Sequence, residues 1–446
     1  MHPINHYFLL LLQLFLTIQI NSQNQIAAVE TAIPAFIGYA EKGGDGWMKL
    51  QKIASLAEYQ RYFGGPAWEE NLEVTIKQAK GDVQVSAGFS GERSRHNLYY
   101  SIQAYFANGG GPCYIVPVAG YLTGGKELSA QLFIKGIEAL DRRDEPTLIV
   151  IPEAHNLPDN NRIRECYDAA LAQCASRRDR FAIIDGGADA VGSANLSFGA
   201  AYVPNLITSI QISWDKRTSV VWQLPAGNQQ SNMGELAGKD RNLHAQAMGA
   251  LEQILVVLPP SPLVAGVYVA TDQTRGVWKA PANVALNLVT QPVVSISQSQ
   301  QEALNLDPAT GKSVNVIRAF PGKGTLVWGA RTLAGNDNEW RYVPVRRLAI
   351  MLEESISKGT QWAVFEPNDE PLWTQLRASV ENFLMVQWRH GALQGAKPEQ
   401  AFFVRTGLGY TMTAQDILDG KLIIEVGFAP LKSAEFVVLS IVHKMN

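Results

Sequence analysis

Within residues 95–185, three short apolar runs stand between segments of helical period: CYIVPV at Cys113–Val118, TLIVI at Thr147–Ile151 and FAIID at Phe181–Asp185. Ahead of the first run, Leu98, Ile102 and Phe106 recur at helical spacing until Asn108-Gly109-Gly110-Gly111 stops the helix. Leu132, Ile137 and Leu140 mark a second helix, closed by the polar Asp141–Pro146. A third, over about Asn161 to Arg177, leads into FAIID. The three runs do not alternate polar with apolar residues, so each needs cover on both faces. Unalternating strands between helices predict a parallel sheet between helical layers. An α/β domain is therefore expected over 92–259, with an amino-terminal segment at 26–91.

Outward from that domain the style changes twice. Pro259-Pro260-Ser261-Pro262 reads as a transition into shorter strand-like runs, clearest at Val289–Ile296 and Val314–Arg318, giving a β-rich connecting region over 260–334. Over 335–446 an α+β domain is expected. Val345, Leu348, Leu352 and Ile356 form one helix face, and Trp362–Phe365 looks strand-like. Asn368-Asp369-Glu370-Pro371 supplies a cap, acidic first-turn groups and an early proline. Behind it Leu372, Leu376, Val380, Phe383, Leu384 and Trp388 make an apolar stripe, with Gly391 weakening the helix and Gly395 ending it. Leu422–Val426 and Glu435–Val442 read as the last two strands.

Net charge is −3 over 446 residues, with no long basic run, which disfavours a nucleic-acid partner. Cys113, Cys166 and Cys174 are odd in number, form no CxxC pair and read as buried free thiols. The chain opens with YFLLLLQLFLTIQI at Tyr7–Ile20, the length of a signal-peptide core and short for a membrane span. No Lys or Arg precedes it, so 1–25 is read as a signal-like or misread amino-terminal segment. No other run is long enough to cross a bilayer, and stable membrane insertion is not expected.

Catalytic chemistry finds no convergent residues. Gly311-Lys312-Ser313 ends like a phosphate-binding loop, but Leu306 occupies the place of its first glycine, and 307–311 reads as a turn between strands. Gly88-Phe89-Ser90-Gly91 lacks the spacing of a nucleophile elbow. Asp185-Gly186-Gly187 follows a strand, where ligands sit in open α/β sheets, yet suits a tight strand exit better. The seven histidines are scattered singly, without metal-ligand spacing. Glu353 and Glu354 diverge by about 100° on their helix and make no acid–base couple. No catalytic residue, cofactor or metal is expected.

Several stretches resemble the phage tail-sheath family, the sheath proteins of contractile tails and related injection systems. They are VETAIPAFIGY from Val29, AGVY from Ala265, RGVWKAPAN from Arg275, NVIR from Asn315 and VWGARTL from Val327. The most specific is VRRLAIMLEESISKGTQWAVFEPND within Tyr342–Asp369, followed by GALQG from Gly391 and QAFFV from Gln400. The resemblance implies a non-enzymatic subunit with a subtilisin-like α/β middle domain that has lost its triad, plus a carboxy-terminal assembly domain. It implies homo-oligomers, as hexameric rings stacked into a helical sheath around an inner tube, with baseplate and terminal cap proteins as further partners. Assembly would be cytoplasmic, and contraction would drive the tube through a target envelope. Sheaths of this group begin with an extended Pro-Gly-Val-Tyr-like strand and an acidic pair that 1–25 lacks, which leaves linkage between protomers in question. The run Phe436-Val437-Val438-Leu439 is a candidate inter-protomer strand, an ordinary central strand being the alternative. Arg377 and Arg389, off the apolar stripe, are candidates for docking the inner tube. A secreted α/β hydrolase and a monomeric binding module remain the competing readings.

Overall fold

The computed structural model describes residues 25–79, 82–224, 227–431 and 436–445. The signal-like stretch and most of 1–25 lie outside these residues, as does Glu435. Among the described residues no helix is long and apolar enough to cross a membrane. The chain divides into two compact units. A sheet unit holds the described residues of Ala32–Arg275 and Lys279–Asp337, and a carboxy-terminal unit holds Gln25–Thr31, Gly276–Trp278 and the described residues from Asn338.

In the sheet unit, β1 (Pro34–Ala40) is buried at all seven positions. After β2 (Gln51–Ile53) comes the hairpin β3 (Leu72–Ala79) and β4 (Asp82–Phe89). Then β5 (Cys113–Gly120), β6 (Leu148–Val150), β7 (Phe181–Asp185) and β8 (Gly199–Val203) follow, the first three of them the apolar runs quoted above. β9 (Leu206–Gln211), β10 (Ser219–Leu224), β11 (Gly227–Asn232) and β12 (Leu255–Leu258) precede a long helix, Ser261–Arg275. β13 (Val284–Ala285), β14 (Val289–Pro292), β15 (Val314–Phe320) and β16 (Gly324–Val327) complete the unit. Nine strands join in the order β13-β16-β15-β8-β7-β6-β1-β5-β2. The six from β15 to β5 run parallel, as the unalternating runs require. Two smaller sheets, β11-β10-β3-β4 and β12-β9-β14, flank it.

Consecutive residues of a strand face opposite sides, and β1 shows both layers. Phe36 meets Tyr105 of the Leu98–Ala107 helix edge to face at 4.9 Å. Its neighbour Ile37 faces the Ala130–Ala139 helix so closely that a Cβ on Gly136 would lie 2.6 Å from Ile37 Cγ2. On the Tyr105 side, Gly266 lets the Ser261–Arg275 helix approach, since a Cβ there would lie 2.6 Å from the Tyr105 carbonyl oxygen.

Three expectations need correction. The sheet draws β1 from 26–91 and β15 and β16 from 260–334, so these segments, apart from 26–31 and 276–278, form one body with 92–259, not three. Residues 261–275 are helical, not part of a β-rich connection, because Ser261 and Pro262 open the helix, where proline is at home. The 307–311 turn joins the Gln298–Asn305 helix to β15, not strand to strand.

In the carboxy-terminal unit, helices Val343–Gly359 and Glu370–Arg389 pack on a three-stranded antiparallel sheet, β17 (Phe402–Thr406), β18 (Lys421–Phe428) and β19 (Val437–Lys444), in that order. The expected helix faces are buried: Val345, Leu348, Leu352 and Ile356 on one, Leu372, Leu376, Val380, Phe383 and Leu384 on the other. Asp369 is the N-cap, accepting from the Leu372 N–H. The helix stops at Arg389, ahead of Gly391, whose φ of +80° favours glycine. Trp362–Phe365 is not a strand: Gln361–Phe365 forms a 3-10 turn closed by Ala363 N–H to Thr360 C=O. So short an apolar run carries no usable period. Ile26 enters this core, the Val29 N–H donates to Ser355 Oγ (3.0 Å) and Arg347 to the Thr31 carbonyl (2.8 Å).

Candidate functional site

The carboxyl ends of parallel strands are where α/β sheets bind ligands. Here two carboxylates from those ends are committed to helix caps. Glu153, just past β6, is fully buried and accepts from the N–H groups of Tyr39 (2.8 Å), Asn97 (2.8 Å) and Leu98 (3.1 Å). It thereby caps the Leu98–Ala107 helix, whose own N-cap, Asn97, makes no side-chain cap bond. Asp185, the last residue of β7, accepts from Ser261 N–H (2.7 Å) and Ser261 Oγ–H (2.6 Å) at the start of the Ser261–Arg275 helix. Burial raises both carboxyls to about 7, against the pull of their donors.

Two histidines sit close by in sequence. The Leu122 N–H donates to His96 Nε2 (2.9 Å), so the neutral ring carries its proton on Nδ1, 3.9 Å from Glu153 Oε1. Burial lowers His96 and His155 to about 4. Ser261 and Asp185 would suit two members of a triad. Among the described residues no histidine hydrogen-bonds either one.

The other fragments are likewise occupied. Ser90 lies on the surface at the end of the β3–β4 hairpin, donating to the Asn71 carbonyl. Lys312 is buried and donates from Nζ to the carbonyls of Ala188 (2.8 Å) and Val191 (2.7 Å), holding that loop. The three cysteines are buried and in no disulfide, and no metal-ligand cluster occurs among the described residues.

These pKa displacements give a testable pH profile. A carboxyl raised in the fold stabilises at low pH and loses that contribution as pH climbs towards 7. A histidine lowered in the fold stabilises above 6.5 and loses it as pH falls towards 4. The pairs Glu153 and Asp185, His96 and His155 therefore offset one another between about pH 4.5 and 6.5. Asp185→Asn removes one carboxyl, so relative to the parent chain the variant should gain up to about 1.4 kcal/mol per pH unit in that window. Urea melts at several pH values measure it, and a constant gap between the two proteins refutes the balance.

The assembly candidates lie in the carboxy-terminal unit. Among the described residues β19 pairs with β18 alone, which makes Phe436–Leu439 the approach to an edge strand there and not a central one. Nor is it covered on both faces. Val437, Leu439 and Ile441 are buried, while Val438 is 49% and Val442 57% exposed. Phe436 stacks near Phe403 on the same outer face, at 5.7 Å. Across that face the rows read Phe403–Gly427–Val438 and Arg405–Glu425–Ser440, the second closed by an ion pair. Arg377 is half-buried and donates to the Thr406 carbonyl (3.3 Å), whereas Arg389 is exposed in the last turn of its helix. The two stand twelve residues apart, about 120° around the helix, and do not share a face.

Comparison with known proteins places this geometry. Residues 335–444 match the model of the phage tail sheath C-terminal domain. A chain of the anti-feeding prophage baseplate is 30% identical, over 94% of this chain and 95% of that one, with a TM-score of 0.64. The anti-feeding prophage helical sheath in its contracted state is 30% identical over 93% and 94%, with a TM-score of 0.61. The contracted sheath complex of the extracellular contractile injection system PVC is 29% identical over 93% and 92%, with a TM-score of 0.64. A sheath tail protein of Desulfitobacterium hafniense shares the fold alone, at 11% identity and a TM-score of 0.51. The tail sheath protein of Vibrio phage KVP40 is 25% identical over 124 residues, covering 27% of this chain but only 18% of that protein. None of these supports the hydrolase reading. With 30% identity running through nearly the whole of both chains, this protein belongs to the tail-sheath family, the structural sheath proteins of phage tails and contractile injection systems.

Proposed function

We propose that the chain is the repeating unit of a sheath that polymerises as stacked rings around an inner tube and contracts to drive the tube through a target envelope. The observation that carries this is the β19 edge, which no other described strand pairs, together with its apolar outer face. A strand from a neighbouring copy adds there by main-chain hydrogen bonds, which tether protomers while their other contacts rearrange. No fuel site is needed. Contraction draws on a difference of only a few kcal/mol per protomer between two sets of contacts, summed over many copies. The chain is not an enzyme in this reading, because Ser90, Asp185 and Lys312 serve the fold. It assembles in the cytoplasm of the producing cell, with baseplate and terminal cap proteins at the sheath's ends.

Tube docking falls to Arg389, since Arg377 is engaged by its own β17. An exposed charge pair contributes only about 0.2–1 kcal/mol, but a lattice repeats it. The test is electron microscopy of the chain expressed with its tube protein. Tube-filled sheaths are expected from the parent chain, and empty sheaths from Arg389→Glu. A monodisperse monomer in every condition refutes the sheath reading, and tube-filled Arg389→Glu particles refute the docking role.

A further inference from the structure

In the sheet unit, the loop 42–50 and the Ala130–Ala139 helix with its continuation bound an open cleft of about 680 Å³. Lys49, Lys135, Arg142 and Arg143 line it against Asp45 and Glu138, four cations to two carboxylates, a surplus of +2 (4 − 2). All six are exposed. Among the described residues none of the four cations lies within ion-pair distance of a carboxylate, although nearby Arg177 reaches both Asp144 and Asp179. Met48, Leu50 and Ala139 add apolar lining. The coulombic pull between Arg143 and Glu145 offsets part of that surplus, and what remains around the apolar lining is relieved by an anionic partner with an apolar tip.

The carboxy-terminal unit offers that shape. Phe365 is 79% exposed, and Glu366, Asp369 and Glu370 beside it are exposed, with no cation in ion-pair range among the described residues. The exposure is built in. Trp373 Nε1–H donates to Asn368 Oδ1 (2.7 Å), Asn368 Nδ2–H to the Lys421 carbonyl (3.0 Å), and Asp369 caps the following helix. A corner fixed in this way gives up little conformational freedom on docking.

Resting on the sheath reading, we infer that the 365–370 corner of one copy docks in the cleft of the next. Phe365 sits on the Met48, Leu50 and Ala139 floor, and its carboxylates face the rim cations. The two surfaces differ, so the contact is heterologous, and each copy presents both halves. Such contacts propagate into rings or helices and do not stop at a closed pair.

Charge reversal tests it on the full chain, with melting curves confirming that each variant folds. Glu366→Lys with Glu370→Lys, or Lys135→Glu with Arg142→Glu, should cut the sedimentable fraction about tenfold, and combining all four should restore it. Assembly by the parent chain with no loss in either double variant overturns the contact. Loss from the cleft variant alone also overturns it, since the occupant is then another acidic protein. A second readout does not depend on polymer. Mixed at high concentration under oxidation, a Phe365→Cys chain and an Ala139→Cys chain should cross-link into a heterodimer, with little background from the buried native thiols. A parent chain that never polymerises refutes the sheath reading, while absence of the mixed cross-link refutes the docking.

Discussion

Glu153→Ala should lower the unfolding free energy of the sheet unit by about 3–6 kcal/mol, the largest single-residue effect expected in this chain. The glutamate satisfies three backbone N–H groups from two different segments, at Tyr39 and at Asn97 and Leu98. Truncation leaves all three buried without an acceptor, at about 1–3 kcal/mol each before any relaxation. The midpoint of thermal unfolding should fall by roughly 10 °C, taking about 2–4 °C per kcal/mol. Glu153→Gln keeps the shape but turns an amide N–H towards other N–H donors, so it should fall between the parent and the alanine variant. Exposed Glu92, paired with Arg95 on the surface, serves as the control and should move stability by under about 1 kcal/mol on truncation. Calorimetry decides. A loss as small as the control's would mean that the helix end finds other partners.

Val438→Lys with Val442→Lys is expected to weaken polymerisation well over tenfold while leaving the fold intact. Both side chains already face solvent on the outer side of β19, so lysine there removes no core contact. Lysine on an edge strand is the usual device against strand addition. A charge enclosed by an incoming strand must be desolvated without a partner, and each tenfold loss of affinity corresponds to about 1.4 kcal/mol. The critical concentration for sheath formation should therefore rise well over tenfold, about 1.4 kcal/mol or more for the pair. Light scattering against concentration measures it, with circular dichroism melts alongside. Normal polymer from this variant would move the inter-protomer contact away from β19.

Much of the fold is legible in the residues themselves. The runs CYIVPV, TLIVI and FAIID gave the parallel layer because strands buried on both faces have no polar option, and β5, β6 and β7 overlap them. The Ser261–Arg275 helix was hidden for the same reason. Its first nine residues are all buried, so no polar face sets a helical period, and Pro262 with Pro259 and Pro260 ahead of it imitates a linker. The β3–β4 hairpin did carry a signal, Leu72, Val74 and Ile76 buried in alternation, that the reading passed over. Glu153 had no local signature. Its donors lie 114, 56 and 55 residues away in sequence, and only the closed sheet brings them together. The edge status of β19 was equally out of reach, because a strand's neighbours follow from topology, not from its own residues.

The threading of the chain has a mechanical consequence. Gln25–Thr31 and the described residues from Asn338 onward share one unit, and the chain between them makes up the other, apart from Gly276–Trp278. Tension applied at Gln25 and at Met445 is therefore borne by the carboxy-terminal unit alone, through Ile26 in its core, Val29 on Ser355 and Thr31 on Arg347. The larger unit is a side branch off that line of force. A neighbour that gripped the chain at these two points would load the smaller unit and leave the nine-stranded sheet without tension.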